Sequence, residues 1–415
     1  MQAPLNRWLA LPLLAVSVPA LADASFRDLF EQGKPVLDLR YRHESVSQDN
    51  ALRDAGAHTL RTRLGFQSGR WHGFSGLLEI DNVSHLGGDG FNDTRNGRTT
   101  HAVVADPDGT EINQASLRFD GARGSATLGR QRINLDNQRF VGGVAWRQNE
   151  QTYDGASLQF KPREGTSVGY AWLDNVNTVF GPADGARANA ANRADIDGDS
   201  HLFNLRHAFS PALAVTAYHY RLDLENVAVA ANAPLGTLSS RTSGVRADGA
   251  RGAFGYALEY ARQRDLAGNP WTLDSEYSLA ELGYRVRGVQ FKLGQETLGA
   301  GPAGPGNRAF QTPLATKHLF QGWADVFLTT PADGLVDRYV GAIMPLAGGT
   351  AQAWYHDFSA DRGGGYGREF DLSYAHPIPG VKGLSALVKY ARYDSDDRAR
   401  SVDTEKFWLQ LQYSR

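Results

Sequence analysis

The sequence lacks several features that whole classes of protein require. It contains no cysteine, so no disulfide framework holds it together. No segment after the N-terminus approaches the ~20 consecutive apolar residues of a transmembrane helix. Lysine is scarce, with seven residues against 36 arginines, and the formal net charge is −2. Because proteins that bind nucleic acid carry a strongly basic surface, this balance argues against that class.

The first 22 residues have the pattern of a secretory signal peptide. Arg7 supplies a positive charge, Leu9 to Val18 form a short apolar stretch, and Ala20-Leu21-Ala22 fit a cleavage site. We therefore expect the mature chain to begin at Asp23, with 42 basic and 45 acidic residues and a net charge of −3. A secreted chain without a transmembrane helix is either soluble or a closed β-barrel. Soluble domains in oxidising compartments often carry disulfides, so the absence of cysteine favours the barrel.

From residue 34 to residue 415, apolar and polar residues alternate with a period of two. In the first segment Leu37, Leu39 and Tyr41 share one face, while Asp38, Arg40, Arg42 and Glu44 share the other. This is the pattern of a β-strand with one apolar and one polar side. It recurs in segments that predict about eighteen strands: 36–44, 60–67, 73–82, 111–120, 124–130, 152–161, 166–175, 200–209, 212–225, 241–248, 252–263, 275–287, 288–297, 335–346, 350–359, 367–376, 383–394 and 404–415.

The connections between these segments alternate between short and long. Ser210-Pro211, Arg287-Gly288 and Ala347-Gly348-Gly349 read as tight turns that would face the periplasm. The stretches 83–110, 177–199, 226–240 and 300–334 are rich in Gly, Asn, Asp and Pro, and would face outward or fold into the lumen. We predict one domain, residues 23–415: an all-β, transmembrane, antiparallel barrel in the bacterial outer membrane, in contact with its lipid. A soluble β-sandwich, propeller or β-helix is the alternative, but it would bury some strands on both faces and show continuous apolar runs.

Motifs for catalysis and for metal binding are weak or missing. The eleven histidines are dispersed, and no pair has the spacing of a zinc-protease helix. Two acidic turns, Asp106–Glu111 and Asp195–Asp199, offer oxygens for calcium, yet neither matches a full calcium loop. We therefore expect neither an enzyme, nor a resident metal, nor a cofactor, although a surface enzyme assembled from distant strands stays an alternative.

Arginines concentrate where a pore would need them. Arg130, Arg132 and Arg139 lie close to Asp136 and Asn137 in one segment. Guanidinium groups stay charged and bind carboxylates through two parallel hydrogen bonds, so a ring of them selects for anions. By strand parity, further basic residues would face the lumen: Arg40, Arg42, Arg61, Arg63, Arg118, Arg206, Arg221, Arg285 and Lys292. The alternative is that these are solvated charges paired with nearby carboxylates, with no role in selectivity.

Two long motifs carry a family resemblance. Residues 128–143 read LGRQRINLDNQRFVGG and continue through WRQN at 146–149 to YDG at 153–155; residues 320–331 read FQGWADVFLTTP. Both resemble the alginate-export family of outer-membrane porins, and the strand pattern extends the resemblance over nearly the whole mature chain. The resemblance implies an eighteen-stranded barrel whose arginine-rich constriction passes an anionic polyuronate, and, by analogy, a periplasmic export complex as partner. It also implies that residues 322–331 narrow the pore, although an extracellular hairpin with its own aromatic core is equally open.

The sequence thus favours a channel with an arginine-lined constriction for anionic oligosaccharide or polysaccharide, or for other organic anions. A general or small-solute porin is the alternative within this class. A barrel whose loops act on the surface while its lumen stays closed is the alternative outside it. Neither the solute, nor the direction of transport, nor the oligomeric state follows from the sequence.

Overall fold

Eighteen antiparallel strands close on themselves in the computed structural model, which describes residues 25–88, 90–185 and 188–415. The expected signal peptide, residues 1–22, lies outside the described residues. A short helix, α1, at Asp28–Glu31 precedes the barrel, and a 3-10 turn occupies Lys317–Leu319. The strands are β1 Lys34–Gln48, β2 Ala55–Gln67, β3 Phe74–His85, β4 Gly109–Gly121, β5 Gly124–Gln131, β6 Thr152–Phe160, β7 Thr166–Asn177, β8 Asp195–Ser210, β9 Leu213–Leu222, β10 Ser240–Arg251, β11 Phe254–Asp265, β12 Asp274–Val286, β13 Val289–Leu298, β14 Leu335–Leu346, β15 Gly349–Ser359, β16 Gly365–Pro377, β17 Leu384–Ser395 and β18 Thr404–Ser414.

Each strand pairs with its neighbours in the chain, and β18 returns to pair with β1. In this closing register Arg40 of β1 lies between Arg61 of β2 and Gln412 of β18. The barrel therefore has no free edge, and its backbone polar groups are satisfied between strands, as a hydrocarbon environment demands. The predicted strand count is confirmed, and each predicted segment overlaps one strand.

The outer surface carries a belt of apolar side chains. Six members of this apolar belt are each more than half exposed: Leu117, Leu128, Leu258, Leu282, Leu293 and Val340. They lie side by side across strands, because Leu117 faces Leu128 and Leu293 faces both Leu282 and Val340 in register. Such a surface is unfavourable in water and is stabilised by lipid, so the period of two in the sequence reflects lipid outside and polar groups inside.

No helix among the described residues is long and apolar enough to cross a membrane.

The two ends of the barrel differ in their connections. Strands at one end, the short-turn end, are joined by two-residue turns such as 122–123, 211–212, 252–253, 287–288 and 347–348, and by loops of five or six residues. The other end carries longer loops, including the predicted ones, here 86–108, 178–194, 223–239 and 299–334. A further long connection, 132–151, is not among those that composition predicts. In outer-membrane barrels the short turns face the periplasm.

Candidate functional site

Two loops fold into the barrel and meet there. The first inward loop, residues 132–151, joins β5 to β6, and the second inward loop, residues 299–334, joins β13 to β14. Val141 and Leu314 form a β-bridge between them. The Gly142 amide and the Gln151 side-chain amide both donate to the Leu314 carbonyl, at 2.9 and 3.1 Å. The two loops are thus joined through their backbones into one partition across the lumen.

Basic side chains of β1 hold the first inward loop against the barrel wall. A guanidinium nitrogen of Arg40 donates to the Ala145 carbonyl at 2.9 Å. Arg42 donates to the Trp146 carbonyl at 2.6 Å, and its guanidinium carbon lies 4.1 Å from the centre of the indole ring. Charge-assisted hydrogen bonds and cation–π contacts of this kind are strong when they are shielded from water.

Arg61 and Arg63 of β2 lie on the same inner face and are paired with carboxylates. Arg61 contacts Asp38 at 2.5 Å, and Arg63 contacts Asp81 at 2.6 Å and Glu150 of the first inward loop at 3.1 Å. The four arginines of β1 and β2 are only 1–8 % exposed. They face inward, as predicted, but the loop covers them, so they support the partition rather than form the wall that a solute meets.

Arg147 extends this support to the loop 86–108. Its guanidinium contacts Asp106 at 2.7 Å and Glu44 at 3.0 Å, and the Gln148 amide donates to the same Asp106 carboxylate at 2.8 Å. Asp106 is completely buried. It therefore serves as an anchor of the partition, not as a member of the calcium turn considered from the sequence.

Arg139 joins the first inward loop to the opposite side of the barrel. Its Nε donates to Glu296 of β13 at 2.7 Å, and the side chain is completely buried. The Tyr277 hydroxyl donates to the same carboxylate at 2.6 Å, and the Phe320 ring lies 4.8 Å from the guanidinium carbon. Removing one partner of such a pair leaves an uncompensated buried charge, so this contact fixes the position of the loop.

The second inward loop rests on acidic side chains of β16. The Ala324 amide donates to Glu369 at 2.6 Å, and the Trp323 amide donates to Asp371 at 3.3 Å. Phe327 packs against the aromatic rings of Phe358, Tyr366 and Tyr393 from the barrel wall. Of the two placements open for residues 322–331, the structure thus shows the inward one.

A chain of polar groups connects the partition to β17 and β18. The ammonium of Lys389 lies 2.7 Å from His318 Nε2, and His318 Nδ1 lies 2.8 Å from Asp325. Lys406 reaches the second oxygen of Asp325 at 3.0 Å. The His318 ring stacks on Trp146 with centroids 4.3 Å apart. Burial lowers the pKa of His318 to about 3, so the ring is neutral at physiological pH and serves as a spacer between charges.

Cavities lie on the two sides of the partition. The smaller one, about 290 Å³, opens toward the short-turn half and is lined by Arg118, Arg132 and Asn134. The larger one, about 870 Å³, is lined by Val144 and Arg147 and by residues of the long-loop end. The first inward loop lines both cavities, and no described residue lines both. The partition therefore separates the two cavities.

Charge in the larger cavity is strongly one-sided. Its described lining contains one carboxylate, Asp325, and six basic residues: Arg147, Arg193, Lys317, Arg398, Arg400 and Lys406. Five of these six have a carboxylate within 3.0 Å. Lys317 has no hydrogen-bond acceptor or carboxylate partner among the described residues. Burial and the nearby Arg139 lower the pKa of Lys317 to about 8, which leaves the ammonium charged at neutral pH.

The other predicted site residues are spread over the lumen, and each is already engaged. Arg118 pairs with Asp120, Arg132 with Glu150, Arg206 with Asp248, Lys292 with Glu281, and Arg285 donates to Gln290 at 3.3 Å. Asp136 accepts a hydrogen bond from Asn204 at 2.7 Å, and Asn137 accepts the Arg139 amide at 3.3 Å within its own turn. These residues lie on the inner face or on the first inward loop, but they do not form one ring.

Two predicted lumen arginines face outward instead. Arg130 shares the outer face of β5 with Leu128, because it lies opposite Ala115 and Asp154 while Leu128 lies opposite Leu117. Asp154 binds its guanidinium through two hydrogen bonds of 2.7 and 2.8 Å, which neutralises the charge. Arg221 lies at the end of β9 on the outer face, opposite His201 and Arg241. The prediction was wrong for both, because the observed register places Arg130 with Leu128, and Arg221 with the exposed Ala217, on the outer face.

The second acidic segment considered for calcium, Asp195–Asp199, is part of a strand and not a turn. Asp195 and Asp197 lie within β8, paired in register with Asn177 and Asn175. Asn175 and Asn226 donate to their carboxylates at 3.4 and 2.8 Å. Residues two positions apart on a strand share a face, so Asp195 and Asp197 lie on the same side of β8. Among the described residues, however, no third histidine or carboxylate converges with them.

Sequence reasoning missed Lys317, the basic residue of the larger cavity that has no carboxylate partner among the described residues. The only available signal was its place within the long 300–334 connection, in a chain with few lysines. Contacts that involve Arg139 and Leu314 determine which part of that connection enters the lumen. Arg139 is far from the connection in the sequence, and nothing in the sequence marks Leu314 as a contact residue.

No protein-family profile and no curated protein sequence matches the chain. Several solved structures do. The Acinetobacter baumannii protein OccAB4 aligns with a TM-score of 0.72 at 16 % identity, over 92 % of this chain and 98 % of that one. Pseudomonas aeruginosa OccK9 (OpdG) aligns with a TM-score of 0.70 at 15 % identity, over 93 % and 100 %. Pseudomonas aeruginosa OpdO aligns with a TM-score of 0.68 at 15 % identity, over 94 % and 98 %.

These neighbours are 18-stranded outer-membrane porins of Gram-negative bacteria. At such identities the likeness establishes the fold, and with it the predicted barrel class. The closed barrel and its apolar belt place the protein in the outer membrane. The likeness gives no support to the alginate-export family in particular.

Proposed function

We propose that the protein is an outer-membrane channel for small organic anions, and that Lys317 is the group that attracts them. The observation that carries this proposal is the ammonium of Lys317, which has no acceptor or carboxylate partner in the part of the chain that the structure describes. It lies in a cavity lined by six basic residues and one carboxylate. Every other cation of the cavity is held by a carboxylate of the protein. An incoming carboxylate or phosphate would supply the acceptor that Lys317 lacks.

The size of the interaction favours Lys317 over the paired arginines. Two opposite charges about 4 Å apart attract each other by roughly 4 kcal/mol at an effective dielectric of about 20, against about 1 kcal/mol in water. A guanidinium already held by Asp or Glu offers a passing anion much less. Because a channel must also release its solute, one unpaired cation suits transport better than a ring of them.

The dimensions favour a small solute. A cavity of about 870 Å³ is within the range of sites for drug-sized molecules, and residues of the partition line it. The alginate-export resemblance implies a polyuronate instead, whose chain would have to cross the bridge between Val141 and Leu314. We therefore rank transport of anionic oligosaccharide or polysaccharide, with a periplasmic export complex as partner, as the second candidate function. General diffusion is the third candidate, because a general porin has no need of an unpaired cation.

Planar-bilayer recording tests the proposal. The refolded protein is measured under a potassium chloride gradient, and then with glucuronate, an oligouronate and uncharged glucose on the long-loop side. We expect an anion-selective reversal potential and block by glucuronate but not by glucose. Block by the oligouronate with none by glucuronate would favour the polysaccharide instead.

Lys317→Gln provides the decisive comparison. This variant removes the charge and keeps a polar side chain of similar length, so we expect the anion-to-cation permeability ratio to fall about tenfold, equivalent to about 1.4 kcal/mol. Lys382→Gln is the matched control, since Lys382 is an exposed lysine in the loop between β16 and β17 at the short-turn end. Equal ratios in the wild type and in both variants would refute the role of Lys317.

A further inference from the structure

We propose that His85, Asp93 and Asp108 form a binding site for a divalent transition-metal cation. One ligand atom each from His85, Asp93 and Asp108 lies within 4.8 Å of the others, the only such group among the described residues. None of these three residues lines the larger cavity that contains Lys317.

Asp93 is the residue that points to a ligand. Its side chain is completely buried, and one oxygen accepts the backbone amides of Arg95 and Asn96 at 2.5 and 2.6 Å. These two bonds fix the orientation of the carboxylate. The second oxygen, Oδ2, is buried without any hydrogen-bond partner. Because an unsatisfied buried carboxylate oxygen is costly, a cation at this position would provide the missing contact.

A direct contact with His85 does not satisfy that oxygen. His85 Nε2 lies 3.8 Å from Asp93 Oδ2, which is too long for a hydrogen bond. Two ligands that are each about 2.0–2.2 Å from a zinc ion are separated by at most about 4.4 Å, so this spacing leaves room for an ion between them. The third ligand atom, from the exposed Asp108 carboxylate, lies within 4.8 Å of the other two.

The donor set indicates the class of metal. An imidazole nitrogen with two carboxylates is suited to zinc and its neighbours in the transition series. Calcium would require six to eight oxygens, more than this group supplies. The Asp106 carbonyl, 2.9 Å from His85 Nε2, is a candidate fourth donor when the neutral ring carries its proton on Nδ1, which leaves Nε2 free to bind the metal.

The site is close to the partition. Asp106 is two residues before the ligand Asp108, and its carboxylate holds Arg147 and Gln148 of the first inward loop. A bound cation would therefore fix the backbone around Asp106, the residue that anchors the partition.

Isothermal titration of the full-length refolded barrel with zinc chloride, and separately with calcium chloride, tests the proposal. We expect one zinc ion per chain in the wild type and at least tenfold weaker binding in Asp93→Asn and in His85→Gln. His101→Gln is the matched control, because His101 is in the same loop but outside the cluster. Circular dichroism in the β region, unchanged between variants, shows that the barrel has formed.

Each other outcome overturns the proposal. No zinc binding by the wild type would show that His85 and Asp93 form only an internal charge pair. Zinc binding that survives both substitutions would place the ion elsewhere. Tighter binding of calcium than of zinc would indicate an oxygen site and exclude the assigned class of metal.

Discussion

At the level of single residues, the important difference among the basic side chains of the lumen is whether the protein has already neutralised them. Arg63 has three carboxylates within 3.5 Å, and Arg139 is completely buried against Glu296. Such groups fix the fold of the loops. Among the described residues Lys317 has no such partner, so its charge is available to a solute.

The protonation of Lys317 makes anion selectivity depend on pH. Its pKa is lowered to about 8 from an ordinary value near 10.5, so the ammonium is charged below about pH 8 and neutral above it. We expect the anion-to-cation permeability ratio to be high at about pH 6 and to fall as the pH rises to about 10. Reversal potentials across this range measure it, with Lys317→Gln as the reference. A ratio that falls equally in that variant would assign the effect to another group.

Single residues also show where sequence reasoning failed. Leu128 and Arg130 are two positions apart on β5, so strand parity alone places both on the outer face. The arginine-rich motif suggested the opposite, but the register with Asp154 follows parity. An outward arginine is tolerated because it lies at the end of its strand and is paired with a carboxylate. Parity was therefore the better guide, and clustering in sequence was misleading.

At the level of structural elements, the two inward loops form the part of the molecule that the sequence predicted least well. Residues 132–151 bridge to the second inward loop through Val141 and Leu314, which are far apart in the chain. Composition indicates that a segment is a loop, but it does not indicate which partner the loop will contact. The aromatic residues of 320–331 gave the only advance sign of packing, and Phe327 accounts for it.

The Arg139–Glu296 pair is expected to hold the partition in place. Arg139→Ala leaves Glu296 buried with only neutral partners, which typically costs about 3–5 kcal/mol. We expect the first inward loop to detach, single-channel conductance to rise and anion selectivity to fall. Arg285→Ala is the control, because Arg285 is exposed at the short-turn end and bonds only Gln290. An unchanged conductance in Arg139→Ala would show that the loop is held by its other contacts.

At the level of the whole molecule, the barrel was predictable because one physical constraint acts on every strand. Lipid outside and polar groups inside impose a period of two on each segment, and each segment shows this alternation independently of the others. On β11, Phe254, Leu258 and Tyr260 are exposed on the outer face, while Glu259 and Gln263 are buried on the inner one. Eighteen repetitions of this pattern define the number of strands and their order, whereas nothing comparable constrains the loops.

The same constraint makes the apolar belt sensitive to charge. Leu293 is 57 % exposed on the outer face of β13, with Leu282 and Val340 beside it in register. We expect Leu293→Arg to lower the free energy of unfolding from lipid vesicles by about 2–4 kcal/mol, the cost of an arginine near the bilayer midplane. Leu293→Ala is the control that removes apolar area without adding charge. Urea titration in vesicles measures both, and the argument depends on their difference, since only burial in hydrocarbon penalises the charge itself. If the two variants unfold at the same urea concentration, Leu293 faces water, and the belt does not mark the membrane.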